Sequence, residues 1–180
     1  TVQNAEVLNN QTVTDPYENG SVIKSLTMAM AIDTGVANPS TTYYNTDSVK
    51  IDDITVKNAV LGHTGTITMQ TAMNYSLNTG MVEIASRLGG GRITKEARNT
   101  MYDYYHNRFG LGQKTGLEIA ESAGILISPD ELEGNAVRYS NMSFGQGMDL
   151  TMAQTATAFS AAINGGTLYK TSIVNGEVDK

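Results

Sequence analysis

The segment from residue 21 to residue 33 carries apolar side chains with few polar interruptions. Ile23, Leu26 and Met30 recur along it, and Gly35 stands where a left-handed residue commonly ends a helix. The pattern therefore predicts a largely buried helix. Comparable patterns predict helices over residues 66–75, 80–88, 94–108 and 151–164, and a short helix starting at Ser128-Pro129-Asp130-Glu131.

Two stretches have the alternation expected of short, half-buried strands. Residues 49–51 and 54–56 flank Asp52-Asp53, which indicates two strands joined by a turn. Residues 168–174 are rich in β-prone side chains, and the Asn175-Gly176 pair behind them is a strong hairpin signal. We therefore expect mostly helices, a few short strands and the start of a sheet at the C-terminus.

The composition is that of a globular protein, with 40% hydrophobic and 17% charged residues. The 180 residues suffice for one cored domain, and nothing in this length requires two. The formal net charge is −6, and the basic residues are scattered singly. Because no positively charged stripe exists to neutralise phosphates, nucleic acid is not expected as a partner.

Cysteine is absent, which excludes disulfides, thiolate metal sites and cysteine nucleophiles. His63 and His106 are 43 residues apart without clustered carboxylates, so neither a metal ion nor another cofactor is expected. No run approaches 18 apolar residues, and residues 1–4 lack a signal-peptide pattern. The chain itself is expected to be soluble, although an anchor could have been removed from it.

The pattern Ser21-Val22-Ile23-Lys24 is the first candidate for chemistry, because a spacing of three in a helix places the hydroxyl and the amine on one face. A serine hydroxyl needs a base to take its proton, and lysine is that base only when burial lowers its pKa from roughly 10.4. The amides of the helix N-terminus would stabilise an oxyanion formed by Ser21. Taken alone, the pattern also fits an N-cap serine and a surface lysine.

A second polar group, Ser76-Leu77-Asn78, follows in the link predicted between two helices. Its hydroxyl and amide are suited to hydrogen-bond Lys24 and to hold a substrate amide. By themselves, Ser76 and Asn78 are more simply explained by local capping, with Asn78 starting the next helix.

Together the two patterns resemble the active site of the penicillin-binding proteins, whose signature is S-x-x-K, then S-x-N, then K-[ST]-G. Residues 14–21 and 73–81 are similar to the approach to the nucleophile and to the second motif of class B transpeptidases. Phe109-Gly110-Leu111-Gly112, Ser143-Phe144-Gly145-Gln146-Gly147 and Asn164-Gly165-Gly166 also match that class in order. The likeness covers nearly the whole chain.

This resemblance implies a peptidoglycan D,D-transpeptidase that is acylated by D-alanyl-D-alanine ends and by β-lactams. It implies that Ser21 is the nucleophile and Lys24 its base, and that the Ser21 amide forms half of the oxyanion hole. Ser76 would relay protons toward the departing amine. Asn78 would hydrogen-bond Lys24 and the substrate's amide carbonyl.

The implied fold is the α-rich portion of an α/β (α+β) penicillin-binding transpeptidase, or serine β-lactamase-like, fold. Residues 1–180 would form part of one such domain. The parent protein is expected to be anchored at the outer face of the cytoplasmic membrane and to act with cell-wall synthesis partners.

Lys114-Thr115-Gly116 spells the third motif but comes only 38 residues after Ser76, directly after a helix, where the class has a Gly-rich structural turn. The catalytic copy is expected on a strand beyond Asn175-Gly176, after Lys180. The chain alone is therefore expected to have little or no activity. Its helices are expected to expose apolar faces that the missing sheet segment or another chain would cover.

Two alternatives stay open. Glu131-Leu132-Glu133-Gly134-Asn135 loosely resembles the E-x-x-x-N of class A β-lactamases, although Leu77 stands where those enzymes favour Asp. A β-lactam sensor that acylates once without turnover would carry the same Ser21 and Lys24.

Overall fold

The computed structural model describes residues 9–174, and seven α-helices form most of the regular structure there. A single 3-10 turn, Gly20–Val22, leads into the second helix, and a π-helical turn, Asp103–Arg108, extends the fifth. The helices are α1 (Gln11–Thr14), α2 (Ile23–Asp33), α3 (Met69–Asn74), α4 (Asn78–Arg87), α5 (Lys95–Tyr102), α6 (Ala136–Met142) and α7 (Met152–Ile163).

Four of the predicted helices are confirmed with small shifts of their ends. The helix predicted over residues 21–33 is the Gly20–Val22 turn followed by α2, and Gly35 has the expected positive φ of 73°. The helices predicted over residues 80–88, 94–108 and 151–164 are α4, α5 with its π-helical turn, and α7.

Four short strands form two antiparallel pairs, and the strands of one pair lie between those of the other along the chain. β2 (Ser48–Ile51) pairs with β3 (Ile54–Lys57), which confirms the two strands predicted around Asp52-Asp53. β1 (Thr42–Asn45) pairs with β4 (Gly65–Thr68), and neither of these strands was predicted. Helices therefore make up most of the regular structure in the described residues, with a few short strands, as expected from the sequence.

The helix predicted over residues 66–75 is wrong at its start. Thr66, Ile67 and Thr68 lie in β4, which pairs with β1. All three are β-branched, and such residues favour strands. α3 begins only at Met69, where the Thr68 side chain caps it by accepting a hydrogen bond from the Thr71 N–H.

The short helix predicted from Ser128 is also wrong, although part of its capping box forms. The Ser128 N–H donates to Glu131 Oε1 over 2.7 Å, but residues 129–135 continue as turns. The chain bends back at Gly134, where a Cβ would lie 2.1 Å from the Ser128 carbonyl oxygen. The helix starts later, as α6, where Asn135 caps it.

No strand forms over residues 168–174, where the sequence predicted one. A strand requires a neighbour for its backbone hydrogen bonds, and none within residues 9–174 pairs with this segment. The predicted Asn175-Gly176 hairpin lies outside the described residues.

The core forms around α2, which packs against α4 and α7. Ile23, Leu26 and Met30 of α2 are at most 1% exposed, and Met81 and Ile84 of α4 are fully buried against the same cluster. The N-terminus of α2, with Ser21 just before it, therefore stands on a rigid support. Within residues 9–174, no helix is long and apolar enough to cross a bilayer.

Candidate active site

Ser21 lies in the 3-10 turn that leads into α2, and its side chain is exposed. The chain enters this turn through Gly20, whose φ of 62° is in the left-handed region that glycine adopts without strain. Neither the hydroxyl nor the amide N–H of Ser21 is hydrogen-bonded to another of the described residues. Both groups are therefore available to an incoming carbonyl compound.

Residues 143–147 hold this turn in place. The Gly20 N–H donates to the Gly145 carbonyl over 3.0 Å, and the Gly147 N–H donates to Glu18 Oε1 over 2.7 Å. A Cβ at position 145 would lie 1.8 Å from the Gly20 carbonyl oxygen, so only glycine allows this close approach. The sequence pattern of this segment resembles that of a known protein class, but it did not predict that the segment supports Ser21.

α2 is also anchored from inside the core. Thr27 Oγ1 donates to the Ser143 carbonyl over 2.7 Å and accepts from the Tyr105 hydroxyl over 2.7 Å. Tyr105 comes from the π-helical turn and is fully buried, and burial raises the pKa of its hydroxyl. Sequence reasoning missed this support, because Thr27 and Tyr105 are 78 residues apart and no local pattern marks their contact.

Lys24 is only 2% exposed, and its amine reaches out of α2 to Ser76. Lys24 Nζ donates to the Ser76 carbonyl over 2.6 Å and to Ser76 Oγ over 2.9 Å. Among the described residues, no carboxylate forms an ion pair with this amine. Desolvation by burial lowers the pKa of Lys24 to about 8, so about a tenth of the amine is uncharged at neutral pH, far more than for an ordinary lysine.

Ser76 has a left-handed backbone, with φ at 53°, although it is not glycine. It occupies the position after the end of α3, where the Ser76 N–H donates to Met73 O and the Leu77 N–H donates to Ala72 O. These two bonds form a Schellman motif, whose left-handed position is usually glycine. In this strained conformation the Ser76 hydroxyl and carbonyl face Lys24. A hydrogen bond between Ser76 and Lys24 was expected from the sequence.

Asn78 differs from its prediction. It is the first residue of α4, and its Nδ2 donates to the Lys57 carbonyl over 2.9 Å. The expected hydrogen bond between Asn78 and Lys24 is not formed: Lys24 Nζ bonds to Ser76, and the Asn78 amide is directed to the Lys57 carbonyl. Asn78 nevertheless lies two residues from that contact, so the structure brings Lys24, Ser76 and Asn78 into one region.

Lys114-Thr115-Gly116 lies in a loop outside any strand. The N–H groups of Thr115 and Gly116 donate to the two carboxylate oxygens of Glu121 at 2.9 Å, which pins a structural turn. This supports the prediction that it is not the catalytic third motif.

Glu131 and Asn135 serve local structure. Glu131 accepts from the Ser128 N–H, and Asn135 caps α6 by accepting from the Arg138 N–H over 2.9 Å. Neither side chain bonds to Ser21 or Lys24. Their arrangement therefore gives no support to the water-positioning role that a class A β-lactamase requires.

The two histidines also have local contacts. The His63 ring lies 3.9 Å from the Tyr75 ring, between centroids, and His106 Nδ1 is hydrogen-bonded to the Leu111 carbonyl over 3.0 Å.

The site combines an unbound serine hydroxyl, a buried amine that loses its proton easily and a second hydroxyl within hydrogen-bonding distance of that amine. Ser21 and Lys24 belong to the same helical turn, although their side chains do not form a hydrogen bond in this structure. Such bonds are often long before a substrate binds. A free hydroxyl and an amine of lowered pKa are the two groups that nucleophilic attack by a serine requires.

The sequence profile described as "Penicillin binding protein transpeptidase domain" matches residues 1–180. Curated relatives include stage V sporulation protein D of Bacillus subtilis, 34% identical over 172 residues, and the probable peptidoglycan D,D-transpeptidase PenA of Neisseria flavescens, 33% identical over 170 residues. Each alignment covers 94% of this chain, but only 25% and 39% of the relative. The chain thus spans a minor part of the length of these relatives.

Solved structures show the same fold. Penicillin-binding protein 3 of Mycobacterium tuberculosis, complexed with aztreonam, has a TM-score of 0.72 and 28% identity, covering 86% of this chain and 32% of that one. The transpeptidase domain of Burkholderia pseudomallei penicillin-binding protein 3 has a TM-score of 0.81 at 24% identity, covering 95% of this chain and 48% of that one. Fold, motif order and sequence profile agree, and the chain belongs to the penicillin-binding protein transpeptidase family.

Proposed function

We propose that the protein containing this chain is a peptidoglycan D,D-transpeptidase, which penicillins also acylate, and that its nucleophile is Ser21. The contact between the buried Lys24 amine and Ser76 carries this proposal, because it combines a lysine of lowered pKa with a second hydroxyl beside it. The name of the Neisseria flavescens relative and the aztreonam complex of the Mycobacterium tuberculosis neighbour support it.

In the proposed reaction, uncharged Lys24 takes the proton of Ser21 as Oγ attacks the carbonyl carbon of a D-alanyl-D-alanine peptide bond. The Ser21 N–H donates to the oxyanion that forms. The C–N bond then breaks, the proton passes from Lys24 through the Ser76 hydroxyl to the departing D-alanine amine, and an acyl-Ser21 ester remains. An amine of a second stem peptide attacks this ester and restores the Ser21 hydroxyl.

Asn78 is assigned the substrate's amide carbonyl. Its Nδ2 has two hydrogens, and the Lys57 carbonyl takes one of them. The hydrogen bond to Lys57 therefore fixes the orientation of the amide, and the second hydrogen can be donated to a substrate.

The proposal extends to the surroundings of the chain. Residues 1–180 would be part of one transpeptidase domain, whose K-[ST]-G strand would complete the site and cover the apolar side chains exposed on α2 and α7. The parent protein would be anchored in the cytoplasmic membrane, with this domain on the outer face, and would act with other cell-wall synthesis proteins. The names of the relatives, which include a sporulation protein and a peptidoglycan transpeptidase, support an extracytoplasmic role.

A labelled penicillin tests the proposal on the full-length protein that contains this chain. The protein is expected to form one stable adduct, located by peptide mass spectrometry at Ser21, and Ser21→Ala is expected to abolish it. Ser25→Ala is the matched control, because Ser25 is the next serine of α2 and has no role in the site. An adduct at another residue, or one retained in Ser21→Ala, would contradict the assignment. Rapid release of the hydrolysed drug would favour a β-lactamase instead.

A further inference from the structure

α4, which carries Asn78, has no capping residue of its own. Its N-cap position is Leu77, whose buried apolar side chain cannot accept a hydrogen bond. By contrast, the N-cap side chains of α3, α5, α6 and α7, which are Thr68, Thr94, Asn135 and Thr151, each accept a hydrogen bond from the first turn of their helix. The first turn of α4 must therefore be satisfied from elsewhere.

Asn58, which follows β3 directly, supplies the missing cap. Its Oδ1 accepts from the Thr79 N–H over 3.0 Å and from Thr79 Oγ1 at 3.1 Å. Asn58 and Thr79 are each 5% exposed, so water does not readily replace this bond. Asn58 is 21 residues from Thr79 in sequence, and it therefore caps α4 from a different element.

The same end of β3 also holds Asn78. The Lys57 carbonyl accepts from Asn78 Nδ2 over 2.9 Å, while the next residue, Asn58, caps Thr79. Two consecutive residues thus fix two consecutive residues of α4. Since Ser76 precedes Asn78 by only two positions, the geometry of this contact also limits where the Ser76 hydroxyl can lie.

Asn58 is itself held by a polar network that is partly buried. Its Nδ2 donates to Asp47 Oδ1 over 3.2 Å, and fully buried Asn45 donates from Nδ2 to the same oxygen over 2.9 Å. Asn45 also accepts from Thr79 Oγ1 over 2.8 Å and donates to the His63 carbonyl over 2.9 Å. Asn58 thus accepts with its Oδ1 and donates with its Nδ2, and these bonds fix the orientation of its amide.

We propose that Asn58 is a positioning residue of the transpeptidase site, which caps α4 in place of Leu77 and thereby holds Asn78 and the Ser76 turn against Lys24. This inference rests on the proposed function for its effect on acylation. The cap itself does not depend on it.

The test is the rate of acylation by a labelled penicillin, measured against pH in the full-length protein. Asn58→Ala is expected to slow acylation roughly tenfold or more, because Ser76 and Asn78 lose their fixed positions. It is also expected to raise the pH midpoint of acylation, since water reaching the loosened Ser76 turn would return the Lys24 pKa toward its ordinary value. A residue that only stabilised the fold would not move this midpoint.

Thr94→Ala is the matched control, because it removes the cap of α5, which carries no site residue. It is expected to lower the melting temperature comparably and to leave acylation within about twofold of the unaltered protein. Asn58→Ser keeps a hydroxyl that can accept from the Thr79 N–H and puts no charge beside Asp47. We expect it to slow acylation by at least about twofold but by less than Asn58→Ala, and it serves as the test if Asn58→Ala does not fold.

Three results would overturn the proposal: acylation of Asn58→Ala within about twofold of the unaltered protein, an equal loss in Thr94→Ala, or, where Asn58→Ala does not fold, acylation of Asn58→Ser within about twofold. If the unaltered protein is not acylated at Ser21, the proposed function fails instead. Hydrogen exchange at the Thr79 amide then tests the cap independently of acylation. Protection that Asn58→Ala, or Asn58→Ser where Asn58→Ala does not fold, leaves unchanged would refute it, whereas reduced protection would support it.

Discussion

Lys24 is the residue at which stability and function oppose each other. Its amine is buried without a carboxylate partner among the described residues, and burial lowers its pKa to about 8. A general base must be uncharged before it can accept a proton, so the same desolvation that weakens the folded state suits Lys24 to its proposed role.

Lys24→Met is therefore expected to stabilise the fold. The folded-state pKa lies below the ordinary 10.5, so the unfolded chain binds more protons and the folded chain gains stability as pH rises from about 8 to 10.5. By that linkage, Lys24→Met should raise the free energy of unfolding at neutral pH by about 1–3 kcal/mol and lose this pH-dependent gain. Denaturant unfolding at several pH values measures both effects. A variant of lower stability, or with the same pH dependence, would refute this account of Lys24.

Ser76 is strained because its backbone has a φ of 53°. Ser76→Gly is expected to be more stable than Ser76→Ala by about 1 kcal/mol, since only glycine adopts this region freely. Both variants lose the hydroxyl beside Lys24, so both should acylate slowly. Ser25, inside α2, is the control, because the alanine variant should be more stable than the glycine variant there by about 1 kcal/mol. The same order at both positions would mean that Ser76 is not strained.

At the scale of elements, the site depends on the contact of two loops. The 3-10 turn before α2 and the turn after α6 touch through Gly20 and Gly145, and no side chain can separate them. Ser21, the proposed nucleophile, is thus positioned by Gly145, which lies 124 residues further along the chain. Glycine at 145 is required by space as well as by its φ of 92°.

Gly145→Ala is expected to cost about 3 kcal/mol or more of stability and to slow acylation sharply, because Gly20 must move and take Ser21 with it. Gly35→Ala is the matched control. Gly35 also has a positive φ, of 73°, but nothing lies within 4 Å of its missing Cβ. That variant should lose only about 1–2 kcal/mol, with acylation unchanged. Equal losses in the two variants would show that the contact with Gly20 has no special importance.

The elements also show how far the sequence alone reaches. The S-x-x-K spacing places Ser21 and Lys24 on one turn, and the family resemblance identified Ser76, because both signals are local. The Thr27–Tyr105 and Asn58–Thr79 contacts join distant segments, so no spacing along the chain reveals them. Ser128 shows the opposite error, since a correct capping pattern produced no helix once Gly134 turned the chain back.

At the scale of the whole molecule, apolar side chains remain exposed beside the core. Ile32 of α2 and Phe159 and Ile163 of α7 are 51%, 38% and 72% exposed. α2 and α7 pack against each other, so these side chains belong to adjacent elements. Exposed apolar groups of this size favour contact with another segment or chain.

The chain of residues 1–180 studied by itself is therefore expected to self-associate at micromolar concentrations. Sedimentation velocity should detect the association, and the double variant Ile32→Lys and Ile163→Lys should reduce it by placing like charges on this surface. Leu132→Lys is the control, because Leu132 is 98% exposed and lies in a turn outside α2 and α7. A monomeric unaltered chain, or equal relief by the control, would contradict this role of α2 and α7.

The pH dependence of Ser21 acylation tests the central claim most directly, because it reports whether an uncharged Lys24 activates the hydroxyl. In the full-length protein, the rate of adduct formation should rise with pH through a midpoint near 8, the lowered pKa of Lys24. Lys24→Met should remove both the rise and most of the rate. A rate that does not change between about pH 6 and about pH 10, or a midpoint that survives Lys24→Met, would contradict Lys24 as the base.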